Sequence, residues 1–274
     1  VLTTRLAIAH LFSALAAGVC LAIGLRVLAR RGEGVRGRAV TRYAIWWLAL
    51  GANTLADTAT WILGENGLAP PPVAALMTYL QLVCVTVMLW GLLSYLLYLF
   101  TGRAGALNVA TLVYAAAFVG GLALIVSLRP TGVDIGPWGG SIAYATQPSP
   151  AAALLFALAF LLPPLVGAIA YALLLFRVRE RDARYRIALV SSSIFVWFAL
   201  SLALNGGGTS DARAVVGMVV PIAAIYATWI AYSPPAWIQR RLGVTAGGLG
   251  ASHPRPPLAP GEREEFLARV RDLV

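Results

Sequence analysis

Asn53 and Asp57 stand four residues apart in "ANTLADTATW" (52–61), a stretch flanked by Trp46, Trp47 and Trp61. A carboxylate in such a place can take up a proton, hold a cationic or hydrogen-bonding ligand, or bind a polar side chain of another helix. Its surroundings are apolar, and an ionised side chain at the centre of a spanning helix costs about 2.5–3.5 kcal/mol on insertion scales, so any of these roles needs a partner. On a helix, Trp46, Asn53, Asp57 and Trp61 form one stripe with Leu50 between them, whereas Leu48, Leu55 and Ile62 fall on other faces. The stripe is expected to face the interior of a bundle.

Depth selects the candidate partners. At 1.5 Å per residue, Asp57 lies about 10 Å from the nearer end of its apolar segment and Gln81 about 12 Å into the next one. His10 sits at a similar depth in the first segment, with Asn53 and Tyr79 close to the same level. Asp57, Asn53, His10, Gln81 and Tyr79 are therefore the candidate site. Two readings stand side by side. Asp57 is packing glue paired with His10 or Gln81, of the kind worth about 0.6 kcal/mol per interhelical hydrogen bond. Alternatively the group lines a site for a small ligand or protons, since histidine is the usual switch near neutral pH.

Other chemistries find no footing. All 21 basic residues are arginine, so no lysine exists to form a Schiff base. His10 is the only histidine within an apolar segment, which excludes two-histidine haem ligation within the chain. Cys20 and Cys84 lie in apolar runs without the His or Cys neighbours of a metal site and read as buried thiols. No phosphate-cradling glycine loop or nucleophile–base pair is visible, and paired-carboxylate catalysis would need a second buried acid. No cofactor or metal is expected, and an enzyme is the least favoured class.

The elements that must position these residues follow from composition. The chain is 59% hydrophobic and 12% charged, a balance that suits several membrane-spanning helices. Apolar runs fall at about 4–28, 41–63, 73–100, 107–128, 151–176, 187–205 and 213–233, each near or above the roughly 20 residues that cross the hydrocarbon. The expected fold is all-α: a polytopic membrane protein with a seven-transmembrane helix bundle. Residues 1–240 form the bundle, 241–261 a Gly/Pro-rich linker, and 262–274 a short amphipathic helix with Phe266, Leu267, Val270 and Leu273 on one side.

Arginine placement orients it. Arg26, Arg30, Arg31, Arg36, Arg38, Arg42, Arg103, Arg177, Arg179, Arg181, Arg184, Arg186 and the arginines from Arg240 onward share one side, against Arg5, Arg129 and Arg213 on the other. The positive-inside rule puts the N-terminus outside and the C-terminus in the cytoplasm. The net charge of +10 then belongs to anionic lipid headgroups, and nucleic acid is not an expected partner. The first segment is read as a retained helix, since its heaviest positive charge follows it. The external connection 129–150 is too rich in Pro and Gly for a helix. Its Ile135, Trp138, Ile142 and Tyr144 suit a flap over the outer mouth or a belt at headgroup level. Pro163–Pro164 and Pro221 are expected to kink their helices.

The ending "IAYSPPAWIQRR", followed after a linker by "EREEFLARVRDL", resembles the exit from the seven-helix input regions of bacterial sensor proteins. The overall topology is also similar to microbial rhodopsins, whose chromophore lysine is missing here. The sensor resemblance implies a receptor-like, signal-transducing domain in the cytoplasmic membrane of a bacterium. In such proteins the bundle leads into a cytoplasmic output domain, and none lies within these 274 residues, so the output is expected from a longer chain or a separate signalling partner. The competing expectations are a transporter or channel with Asp57 on its path, and a structural subunit of a larger membrane complex. A transporter needs a polar route continuing inward, for which Thr86 and Ser191–Ser193 are the candidates.

Overall fold

A computed structural model describes residues 4–29, 34–101, 104–176, 178–179, 181–205, 211–232 and 234–242. The linker and the amphipathic segment expected at 262–274 lie outside the described residues, as does the region beyond Leu242 generally. The long helices are α1 (Thr4–Ala29), α2 (Gly34–Glu65), α3 (Pro71–Thr101), α4 (Ala104–Leu128), α5 (Pro150–Leu173), α6 (Arg181–Asn205) and α7 (Asp211–Tyr232). A short α8 (Ala236–Leu242) follows Pro234–Pro235. Four stretches are long and apolar enough to cross a membrane: Thr4–Ala29, Pro71–Tyr98, Leu107–Leu128 and Pro150–Phe176. α2 begins earlier and ends later than the apolar run 41–63, so Arg42, at the start of that run, stands about two turns inside the helix.

One element departs from an all-α fold. Residues Pro130–Gly136 (β1) and Gly139–Tyr144 (β2) pair as an antiparallel hairpin with Pro137–Trp138 at its turn. Arg129 enters it in the left-handed region, at φ 54°. Thr146 closes it by donating its hydroxyl to the Ser127 carbonyl at 2.9 Å, answering a carbonyl that the end of α4 leaves free. The segment 129–150 is thus folded by its own backbone hydrogen bonds.

Sequential helices pack as neighbours, and α7 returns to α1 to close the ring, with α3 also touching α5. The first helices run antiparallel to their neighbours in the chain. Gly51 on α2 packs against Ala17 and Leu21 on α1, and Gly24 on α1 against Ala44 and Leu48 on α2. The starts of α1 and α3 and the end of α2 therefore share the hairpin end, and their opposite termini share the arginine-rich end. Small residues permit this approach, as in other helix pairs within lipid. The core in the arginine-rich half is aromatic: Tyr43 stacks on Tyr95 at 4.4 Å, beside Trp46 and Trp47. Leu11, Leu112 and Leu155 are each about two-thirds exposed (68%, 72% and 68%) on the outer surface of the ring, an arrangement suited to acyl chains. The helical assignment of α5 continues through Pro163–Pro164 and that of α7 through Pro221.

The tightest point is Gly91 on α3. A Cβ there would meet the Arg42 carbonyl oxygen at 2.6 Å and the Trp46 nitrogen at 3.0 Å, both backbone atoms. Gly91→Ala is expected to destabilise the detergent-solubilised protein by about 1–3 kcal/mol. Gly18→Ala, which meets nothing within 4 Å, should be neutral or slightly stabilising because alanine is the better helix former. Equal thermal midpoints for the two variants would contradict this packing.

Candidate functional site

The polar stripe of α2 turns inward as its periodicity requires. Asn53 donates from Nδ2 to Asp57 Oδ2 at 3.2 Å, one turn along the same helix. Gln81 on α3 donates from Nε2 to Asp57 Oδ1 at 2.8 Å and lies 3.3 Å from Thr60 Oγ1. Thr60 in turn donates to the Ala56 carbonyl at 2.8 Å. Both carboxylate oxygens of Asp57 are thus held by neutral amides, one within the helix and one across to α3. Asn53 Oδ1 is buried and has no hydrogen-bond partner within the protein.

His10 does not join Asp57. Its Nε2 lies 2.7 Å from Glu65 Oε1, with 15% and 11% of the two side chains exposed. Glu65 is the last residue of α2, eight positions beyond Asp57, which is about 12 Å along the axis. The imidazole also lies against Trp61, centroids 6.0 Å apart. With Nε2 assigned as donor to Glu65, Nδ1 is an acceptor in the neutral ring and a donor in the imidazolium. That Nδ1 is buried and finds no partner in the protein. Tyr79 is half-buried against the apolar core and makes no bond to Asp57 or Gln81. Of the candidate residues, Asn53, Asp57 and Gln81 form one network, His10 pairs separately, and Tyr79 stands apart.

The hairpin lies on this end of the bundle and packs on α2 and α3. Val133 and Ile135 fill the space over Gly64, where a Cβ would meet Val133 Cγ1 at 2.7 Å. Gly139 and Gly140 lie on the Trp61 indole, and Gly139 has φ 148°, a conformation that a side chain would strain. Arg5 of α1 lies 5.8 Å from the centre of a Trp138 ring. Tyr144 shares a hydrogen bond with Thr78 of α3. Burial pushes the Tyr144 phenol above its ordinary range, and the Thr78 bond opposes part of that rise. The flap therefore touches all three helices that carry the polar groups.

Glu65, Thr60 and the seating of Gly139–Gly140 on Trp61 are additions to the site that the residue pattern did not single out. Glu65 precedes Asn66–Gly67, and Gly67 has φ 66°, so it resembles an ordinary solvated helix end. Cys20 and Cys84 are free and buried. Among the described residues no three His, Cys, Asp or Glu side chains gather as a metal-binding group. Compared with known families and characterised proteins, the chain matches no family model and no curated relative.

What the geometry can do is bind and exchange protons or hydrogen bonds. The carboxylates and the Asn53 and His10 atoms are acceptors for a hydrogen-bond donor, and no nucleophile lies among them. Gln81→Leu leaves Asp57 Oδ1 without its interhelical donor and should cost about 1–3 kcal/mol, read as a lowered thermal midpoint. Gly139→Val should act locally, with the β1–β2 amides exchanging faster while the midpoint stays within about 1 kcal/mol of the parent. Unchanged exchange in the hairpin would refute the seating of Gly139 on Trp61.

Proposed function

We propose that this chain is a receptor-like, signal-transducing membrane domain of seven spans, with the hairpin outside and the arginine-rich end in the cytoplasm. It senses a small hydrogen-bond-donating ligand or protons at Asp57, Asn53, Gln81, His10 and Glu65, and relays the change to a cytoplasmic partner. One observation carries the reading. Two carboxylates at the hairpin end stand beside buried polar atoms, Asn53 Oδ1 and His10 Nδ1, that the protein itself leaves unpartnered. Buried polar atoms are nearly always paired in native proteins, by the protein or by something bound to it.

The relay has a physical route. α1 carries His10 near the hairpin end and Arg26 near the other, and the Arg26 guanidinium lies 5.0 Å from the centre of a Trp229 ring on α7. α7 ends at Tyr232, just before Pro234–Pro235 and α8. A ligand that competes for Glu65 releases α1 at one end and so biases the α7–α8 exit at the other. This coupling has the magnitude of the ligand's preference between the two states and no more. The resemblance of "IAYSPPAWIQRR" to the exits of bacterial sensor bundles agrees with that direction of signalling.

A conducting path has less support. Thr86 and Ser193 donate their hydroxyls to carbonyls of their own helices, at 2.7 Å each. The mid-height cavity beside Trp47, Ser193 and Thr228 is about 30 Å³, room for little more than a water.

The test uses the full chain in liposomes, with tryptophan fluorescence reporting on Trp61 and Trp138. Wild-type protein should respond to external acidification or to a small amine or amide from a panel. Asp57→Asn and His10→Gln should lose that response while staying folded. Variants that respond as fully as the parent would sink the proposal, and tracer flux across the liposome would make the chain a transporter. Topology has its own check: an impermeant maleimide should label Ser141→Cys on intact cells and Gln239→Cys only after permeabilisation.

A further inference from the structure

Away from the proposed sensing site, a groove runs between α3 and α4 towards the arginine-rich end. Its volume is about 290 Å³ and its walls include Val83, Val87, Trp90, Thr111, Ala115 and Phe118, with the Thr86 and Tyr114 hydroxyls donating to backbone carbonyls. The walls present no unmet polar group. Trp90 Nε1 donates to Thr111 Oγ1 at 3.0 Å, and that hydroxyl donates to the Leu107 carbonyl at 3.0 Å. From residue 83 to residue 90 the groove extends about 10 Å along the helix. Its capacity is near the lower end of small-molecule pockets.

A cation closes one end. The Arg42 guanidinium lies 4.7 Å from the centre of a Trp90 ring. Its Nη1 donates to the Leu107 carbonyl at 2.7 Å and to Ser94 Oγ at 3.2 Å, which fixes the plane of the group. Arginine carries five N–H donors, and those on Nε and Nη2 meet no acceptor among the described residues. No carboxylate among the described residues pairs with it either. Arg38, exposed one turn nearer the arginine-rich end, adds a second positive charge on the same helix. Like charges at this spacing repel, and an anion between them would reverse the sign of that interaction.

The level matches a headgroup. α2 has 32 residues, about 48 Å at 1.5 Å per residue, which exceeds a hydrocarbon core of roughly 30 Å. Its first turns therefore stand in the headgroup layer. Leu107, whose carbonyl holds Arg42, begins the apolar stretch Leu107–Leu128. From that boundary the groove leads towards the middle of the bilayer, the direction taken by an acyl chain whose phosphate rests at Arg42. We propose that the α3–α4 groove holds one acyl chain of an anionic phospholipid whose phosphate is bound by Arg42 and Arg38. The planar guanidinium suits phosphate oxygens in pairs, and the apolar walls suit methylene groups.

Native mass spectrometry of the full chain, purified in detergent and exchanged against defined lipids, tests this. Phosphatidylglycerol should remain bound at about tenfold lower concentration than phosphatidylcholine, a difference of about 1.4 kcal/mol. Arg42→Gln should lose about that factor. Ala115→Phe, which fills the groove from an exposed position and leaves Arg42 and its partners in place, should lose phosphatidylglycerol as well. Should Arg42→Gln fail to fold, Ala115→Phe decides alone. Wild-type lipid retention in Ala115→Phe, equal retention of the two lipids, or displacement by millimolar inorganic phosphate would each overturn the proposal.

Discussion

Within hydrocarbon, no solvent answers a polar group, so each one must be answered by the protein or turned out of the apolar layer. The fold depends on how few such groups there are and how they are met. Thr58, Thr60, Thr78, Thr86 and Thr228 return their hydroxyls to carbonyls one turn earlier. By itself that local solution ties no helices together, although the Thr60 oxygen also accepts from Gln81 of α3. Asp57 has no local solution for both oxygens. Asn53 meets one and Gln81 must meet the other, which fixes the rotation of α2 against α3. His10 and Glu65 do the same for α1 against α2. The rotation of α2 is thus set from both sides by polar contacts. The close approach at Gly91 and the reciprocal contacts of Gly24 and Gly51 then fit the rotation that those contacts select.

The stripe of α2 was legible because it rests on a single number, the 3.6-residue repeat, and Asn53 and Asp57 differ by one turn. Gln81 was legible from depth. Tyr79 was not, because depth leaves the face of the helix open. Two residues are separated by about 200° around the axis, so Gln81 turning to Asp57 directs Tyr79 away from it. His10 failed for another reason. Its expected partner followed from the end of an apolar run at residue 63, yet α2 continues to Glu65. An acid at the frayed edge of a hydrophobic segment reads as solvated unless something covers it. The cover is the hairpin, whose strands alternate over too few residues to stand out. Val133 and Ile135 are separated by Asp134, and the turn is Pro137–Trp138 between glycines. Pro and Gly content ruled out a helix there without indicating that the residues would pair with each other.

Arg42 obeys the same rule as Asp57 with the opposite sign. By charge it belongs with the other arginines of its end, where an exposed one would be solvated. Because α2 starts at Gly34, it is instead carried inside a helix and laid on Trp90. A guanidinium can occupy that boundary because its flat face tolerates an aromatic ring while its edge still donates hydrogen bonds. A lysine would offer one compact, strongly hydrated charge and no such face. The chain's exclusive use of arginine therefore has a structural consequence at this position.

α1 joins the two ends of the molecule mechanically. It is a single helix of 26 residues, about 39 Å long, held at His10 by Glu65 and at Arg26 by Trp229. Between those points it packs closely on α2 through Gly24 and against Gly51. The two pins differ in kind. One is a short polar contact between two side chains, and the other is a guanidinium resting on an indole face.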